Sequence, residues 1–194
     1  MLNLKNHKIF LASKSPRRSE LLAQAGIPFE IFTKDVEEIY PNDLNVYLVP
    51  EFLAKLKSDA SLEVLNTDFN IIISADSVVI CNEEIIGKPK DYDDAKTIIA
   101  KLSNNWHTVV TGVCIKSISK EVVFSERAEV LFYPLSSAEI EYYVETFKPL
   151  DKAGAYGIQD WIGLCKVKEI KGNFSNIMGL PMSKLYHELE RFIG

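Results

Sequence analysis

The chain has 194 residues, which suits one domain, or one domain in two lobes. Hydrophobic residues make up 47% and charged residues 25%, enough to build a core and leave no stretch that reads as disordered. A formal net charge of −5 argues against a protein whose main task is gripping nucleic acid, so basic residues that matter must be gathered locally.

The first predicted element is a strand, HKIFLAS over 7–13. A helix follows, with Ser15 as N-cap, Pro16 at the first helical position and Gly26 as the stop. FEIFTKDVEEIY (29–40) reads as a strand leading into an acidic loop. The spacing predicts a helix over 50–65, with Pro50 near its start and Phe52, Leu53, Leu56 and Ala60 on one face. IIISADSVVIC (71–81) is a β-branched run of the kind buried in a sheet. Asp91 caps a helix over about 92–102, where Ala95, Ile98, Ile99 and Leu102 share a face. HTVVTGVCIKSI and EVVFSERAEVLFYPL predict two antiparallel strands. SSAEIEYYVETF predicts a helix with a capping box of Ser136 and Glu139. DKAGAYGIQDWIGLCKVKEIKG reads as a glycine-punctuated loop and a further strand, and a last helix covers about 181–193, opened by Pro181. Strands and helices mix without strict alternation, so the fold class is α/β with a mixed sheet.

Cys81, Cys114 and Cys165 are an odd number without paired spacing, which suits reduced thiols in a cytoplasmic protein. Three scattered histidines give no zinc-site spacing. MLNLKNHK carries no apolar signal core, and no apolar run approaches membrane-spanning length, so a cytoplasmic location without a membrane partner is expected.

Four features carry candidate chemistry. Arg17 and Arg18 sit in the first turn of a helix, where the dipole is positive and each cation costs about 0.3–1 kcal/mol. They suit a phosphate cradle at the helix end, and equally a solvated basic patch. Asp76 interrupts an apolar strand, where a carboxylate needs a partner, a metal or a raised pKa; a strand-end Asp bonded to backbone amides is the bland alternative. Lys88 stands between Gly87 and Pro89, about one hairpin from Asp76. DKAGAYGIQ combines Asp151, Lys152, glycines, Tyr156 and Gln159, whose amide offers a base edge both a donor and an acceptor. With Lys57 and the pair Glu37 and Glu38, these residues suit a nucleoside triphosphate held with a divalent cation.

The motifs LASKSPRRSELLAQAGIPFE, VEE, LAKLK, ISADSVVI, GKPKDYDDA, KLSNNWHTVVTGV, DKAGAYGIQ and GNFSNIMGLPMSKL, in that order over about residues 9–186, strongly resemble the Maf family of nucleotide pyrophosphatases. The resemblance implies one domain over 1–194, with an elongated mixed sheet, flanking helices and two lobes around a deep cleft, similar to inosine triphosphate pyrophosphatases. It implies hydrolysis of a nucleoside triphosphate to the monophosphate and pyrophosphate, with Mg²⁺ or Mn²⁺. DKAGAYGIQ looks like the subgroup acting on dTTP and UTP, with modified pyrimidine nucleotides as further substrates. The alternatives are a 7-methyl-GTP pyrophosphatase and a non-enzymatic regulator of septum formation. By position Asp76 matches the family's proton acceptor. Arg17, Ser77 and Gln159 match its specificity positions. Ser13, Arg18, Lys57, Lys88 and Lys152 fall on motif positions that contact phosphate or metal. Glu38 is the second metal candidate beside Asp76, with Glu37 the other possible counterpart. A homodimer is a family-based expectation. Ser77 stands where Thr is usual, Asn104 where Gly is preferred, and Lys148 where Glu is common.

Overall fold

The computed structural model describes residues 2–194. Seven strands form one mixed sheet: β1 (Lys8–Ala12), β2 (Glu30–Ile31), β3 (Asn70–Cys81), β4 (Glu84–Ile86), β5 (Trp106–Lys116), β6 (Glu121–Phe132) and β7 (Val167–Lys171). Their order is β2-β1-β3-β5-β6-β7, with β4 on β3. β1 runs parallel to β2 and β3, while β4 on β3 and β7 on β6 are antiparallel. The helices are α1 (Pro16–Gln24), α2 (Val49–Asp59), α3 (Tyr92–Leu102), α4 (Ser137–Phe147), α5 (Trp161–Lys166), α6 (Phe174–Met178) and α7 (Met182–Ile193). The expected α/β class with a mixed sheet and flanking helices is what the chain adopts.

Two compact units divide the chain. One comprises 1–76, 111–126 and 179–194, and the other 77–110 and 127–178. In the first, Ile71, Ile72 and Ile73 of β3 are fully buried, as a strand covered on both faces requires. Helix α2 is fixed at three points. Gly112 of β5 lies so close to its start that a Cβ there would sit 2.3 Å from the backbone at Pro50 and Glu51. Ser74 donates a buried hydrogen bond to the Ala54 carbonyl at 2.6 Å. At the far end Lys55 pairs with Glu121, and Lys116 with Asp59 and Glu121. The last helix buries Leu185, Leu189 and Phe192, the i, i+4, i+7 set of one face.

In the second unit α3 packs as its sequence predicts: Ala95, Ile99 and Leu102 are fully buried and Asp91 accepts from the Asp94 N–H at 2.8 Å. The capping box on α4 is present, with Ser136 and Glu139 bonding each other's backbone N–H. Asn104 takes φ +53°, the left-handed region Asn tolerates better than most residues, so it serves the turn where the family prefers Gly.

Several expected boundaries shift. The helix predicted over 50–65 stops at Asp59, because Ser61 Oγ donates to the Lys57 carbonyl and the chain tightens into a 3-10 turn at Leu62–Val64. Phe52 and Ala60 face solvent, so Leu53 and Ala54 carry the burial. The strand expected to open 29–40, before its acidic loop, is two residues long. Helix α5 occupies a stretch read as loop and strand, and α6 one given no element; at six and five residues, they are too short for a periodic signal. Ser15 is the N-cap of α1, but its side chain makes no capping bond. No described helix is long and apolar enough to cross a membrane.

Candidate active site

Strand alternation explains how a carboxylate comes to stand inside an apolar strand. Ser74 and Asp76 leave the same face of β3, and Ala54 and Lys57 leave the same face of α2. The Ser74–Ala54 bond therefore sets Lys57 over Asp76, and Lys57 Nζ meets Asp76 Oδ1 at 2.5 Å. Lys57 also pairs with Glu38 Oε1 at 2.7 Å. Asp76 is 8% exposed. Burial raises its pKa above the ordinary carboxylate value, against the opposing pull of Lys57 and Arg18.

Arg18 closes the other side of this group. Its Nη1 donates to the Ala75 carbonyl at 2.7 Å and to Ser13 Oγ at 3.1 Å, and its Nε donates to the Gly179 carbonyl at 2.8 Å. Ser13 Oγ also accepts the Ser15 N–H at 3.2 Å, so Ser13 bridges the β1–α1 turn and the guanidinium. Arg17, the next residue back on α1, lies near enough to disfavour the Arg18 charge. Within this unit direct bonds join Ser13 to Arg18, and Glu38 and Asp76 to Lys57, while the Arg18 bond to the Ala75 carbonyl sets the first pair beside the second group, with Arg17 alongside.

The remaining candidates belong to the other unit. Ser77 follows Asp76 on β3 and is half-buried. Lys88 is exposed on its turn, and Pro89 behind it is buried. The Gly154 N–H donates to the Gly87 carbonyl at 3.0 Å, which ties the Lys88 turn to the DKAGA segment. There Lys152 pairs with Asp151 at 2.9 Å while its side chain is 12% exposed. Gln159 donates through Nε2 to Asp160 Oδ1 at 3.2 Å.

Sequence reasoning singled out Tyr156 in this segment but missed the residues packed behind it. Tyr156 is buried against His107 and Phe132, with His107 Nε2 2.8 Å from its hydroxyl. Tyr143 of α4 donates to Asp160 Oδ2 at 2.8 Å. The acid directly after Gln159 in GIQD was a legible signal; the tyrosine, one of a YY pair on a helix, was not.

Glu38 and Asp76 bring two carboxylates to one point, the Lys57 ammonium. Among the described residues no three His, Cys, Asp or Glu side chains gather as a metal cluster. Two carboxylates do suit a hard divalent cation that completes its shell with water and substrate phosphates.

A mixed α/β chain with a buried carboxylate beside paired cations is the setting for chemistry on a highly charged anionic substrate. Residues 8–192 match the family model described as Maf-like protein, and the chain belongs to that family. It is 49% identical over 99% of its length to the dTTP/UTP pyrophosphatase of Cytophaga hutchinsonii, covering 87% of that protein. It is 44% identical to the dTTP/UTP pyrophosphatase of Phocaeicola vulgatus and 43% identical to that of Parabacteroides distasonis. These two matches cover 97% and 98% of this chain, and 98% of each relative. Among solved structures, the Staphylococcus aureus Ham1 protein is similar over 64% of this chain and 71% of its own, with TM-score 0.46 and 18% identity.

Proposed function

We propose that this chain is a nucleoside triphosphate pyrophosphatase whose substrates are dTTP and UTP. The observation that carries the reading is Asp76, a buried carboxylate of raised pKa between Lys57 and the Arg18-bound Ala75 carbonyl. The names of the relatives supply the substrate class. A water oxygen attacks the α-phosphorus, the bond from that phosphorus to the α–β bridging oxygen breaks, and pyrophosphate leaves with the electron pair. Asp76 takes the proton of the attacking water, a task that a raised carboxylate pKa favours. Arg17, Arg18, Lys57, Lys88 and Lys152 supply positive charge for the phosphates, and Ser13 adds a hydroxyl. Ser77 and Gln159 select the nucleoside. Glu38 and Asp76 would hold Mg²⁺ or Mn²⁺, which neutralises phosphate charge when bound.

The test is pyrophosphate release by the purified chain with Mg²⁺ or Mn²⁺ across dTTP, UTP, CTP, GTP, ITP and 7-methyl-GTP. We expect dTTP and UTP to lead, and Asp76→Asn to lose about 10²–10⁴-fold in kcat. Turnover retained in Asp76→Asn overturns its role as base. Silence on every nucleotide brings the non-catalytic regulator forward, and preference for 7-methyl-GTP moves the chain to another subgroup.

A further inference from the structure

The amide of Gln159 has two ends, and the fold fixes which end is left for a ligand. The Gly157 N–H can only donate, and it reaches Tyr143 Oη at 3.0 Å. The phenol therefore accepts there and gives its own proton to Asp160 Oδ2 at 2.8 Å. A carboxylate only accepts, so the side of Gln159 that faces Asp160 Oδ1 at 3.2 Å must be its NH₂. Every bond in this chain of four residues has one permitted direction, and its far end is Gln159 Oε1. That oxygen is buried and, among the described residues, accepts no hydrogen bond. Burial pushes the Tyr143 phenol well above its ordinary pKa, so the hydroxyl stays protonated and the direction holds. Gly157 makes the packing possible: a Cβ there would lie 2.5 Å from Asp160 Oδ2 and 2.8 Å from Gln159 Nε2.

A buried acceptor without a donor is unfavourable, and a ligand that brings the donor relieves it. Uracil and thymine carry a ring N–H at N3, whereas cytosine has a lone pair there. We propose that Asp160 and Tyr143 are positioning residues that hold the Gln159 amide acceptor-first, so that the chain selects pyrimidines with an N3–H donor over cytosine. This rests on the reading above, in which Gln159 reads the base.

The experiment compares kcat/KM for UTP and CTP in the parent chain, Asp160→Asn, Tyr143→Phe and Gln159→Met, with thermal midpoints as a folding control. In Asp160→Asn the new amide can accept from Tyr143 through its oxygen and donate through its NH₂. Gln159 then turns over and offers its own NH₂ to the ligand. We expect the UTP:CTP ratio to fall at least about tenfold, with CTP turnover rising, the equivalent of one exchanged hydrogen bond. Tyr143→Phe keeps the carboxylate but removes its anchor at Oδ2, so the ratio should fall in the same direction by a smaller factor, which keeps the test decisive where Asp160→Asn folds poorly. Gln159→Met should bring the ratio near one. Equal loss on both nucleotides in Asp160→Asn and Tyr143→Phe, with Gln159→Met flattening the ratio, overturns the positioning role and leaves base reading by Gln159 standing. An unchanged ratio in Gln159→Met removes base reading and this proposal together. A parent chain that turns over UTP and CTP equally also overturns it.

Discussion

Arg17 and Arg18 are adjacent in the first turn of α1, and Arg18 holds the fold together there. Arg18 donates to two main-chain carbonyls and one buried hydroxyl, so it ties the start of α1 to β3 and to the approach of α7. Arg18→Ala should therefore lower stability by about 2–4 kcal/mol, the scale of hydrogen bonds from a charged group to acceptors that then lie unpaired. Arg17→Ala should change stability by less than about 1 kcal/mol while reducing turnover at least tenfold. Urea unfolding and pyrophosphate release on both variants check this contrast; equal stability losses would refute it. In the sequence a dipole argument cannot tell the two arginines apart, since it sees only their place in the first turn, and only the family resemblance gives them different positions. Asp76 was legible, because one carboxylate in an apolar strand has few explanations. Its partner Lys57 was not legible from spacing alone, because LAKLK reads as an ordinary solvated helix end.

At the scale of elements, helix α2 decides whether Lys57 reaches Asp76. Gly112 lets β5 approach the start of that helix, and Ser74 grips its middle. Gly112→Ala would force a methyl against backbone atoms that no side-chain rotation can move. We expect a loss of at least about 3 kcal/mol in unfolding free energy, the upper part of the range for overpacking. Turnover should fall in the protein that still folds, because Lys57 rides on the displaced helix. Parallel denaturation and kinetic curves test both halves; an unperturbed enzyme would show that the contact relaxes elsewhere. Element type was readable wherever periodicity ran for several turns, as in α3, or where a cap was spelled out, as in Ser136 with Glu139. The end of α2 was not readable, because it depends on Ser61 bonding the Lys57 carbonyl rather than on a breaker residue. The short helices α5 and α6 are held by surroundings that are distant in sequence; Ile162, for one, is fully buried in the second core.

For the whole molecule, His107 links stability to pH. Burial lowers its pKa from the ordinary 6.5 to about 4, so the folded chain holds the ring neutral while the unfolded chain protonates it. The stability from this group is complete above about pH 6.5, declines as pH falls, and levels off below about pH 4, a total near 3 kcal/mol. Urea unfolding at pH 7.5, 5.5 and 4.5 should show the decline, and His107→Gln should flatten it; the same slope in both proteins would assign the effect to other groups. The chain passes between its two units four times, at Asp76–Ser77, Val110–Thr111, Glu126–Arg127 and Met178–Gly179, and the first three crossings fall inside β3, β5 and β6. A gene that builds its protein in this way cannot be split at one point into two folding halves. Neither unit can be lost, swapped or borrowed by recombination without severing continuous strands. Divergence within such a lineage therefore proceeds by side-chain exchange and loop change along an intact strand path.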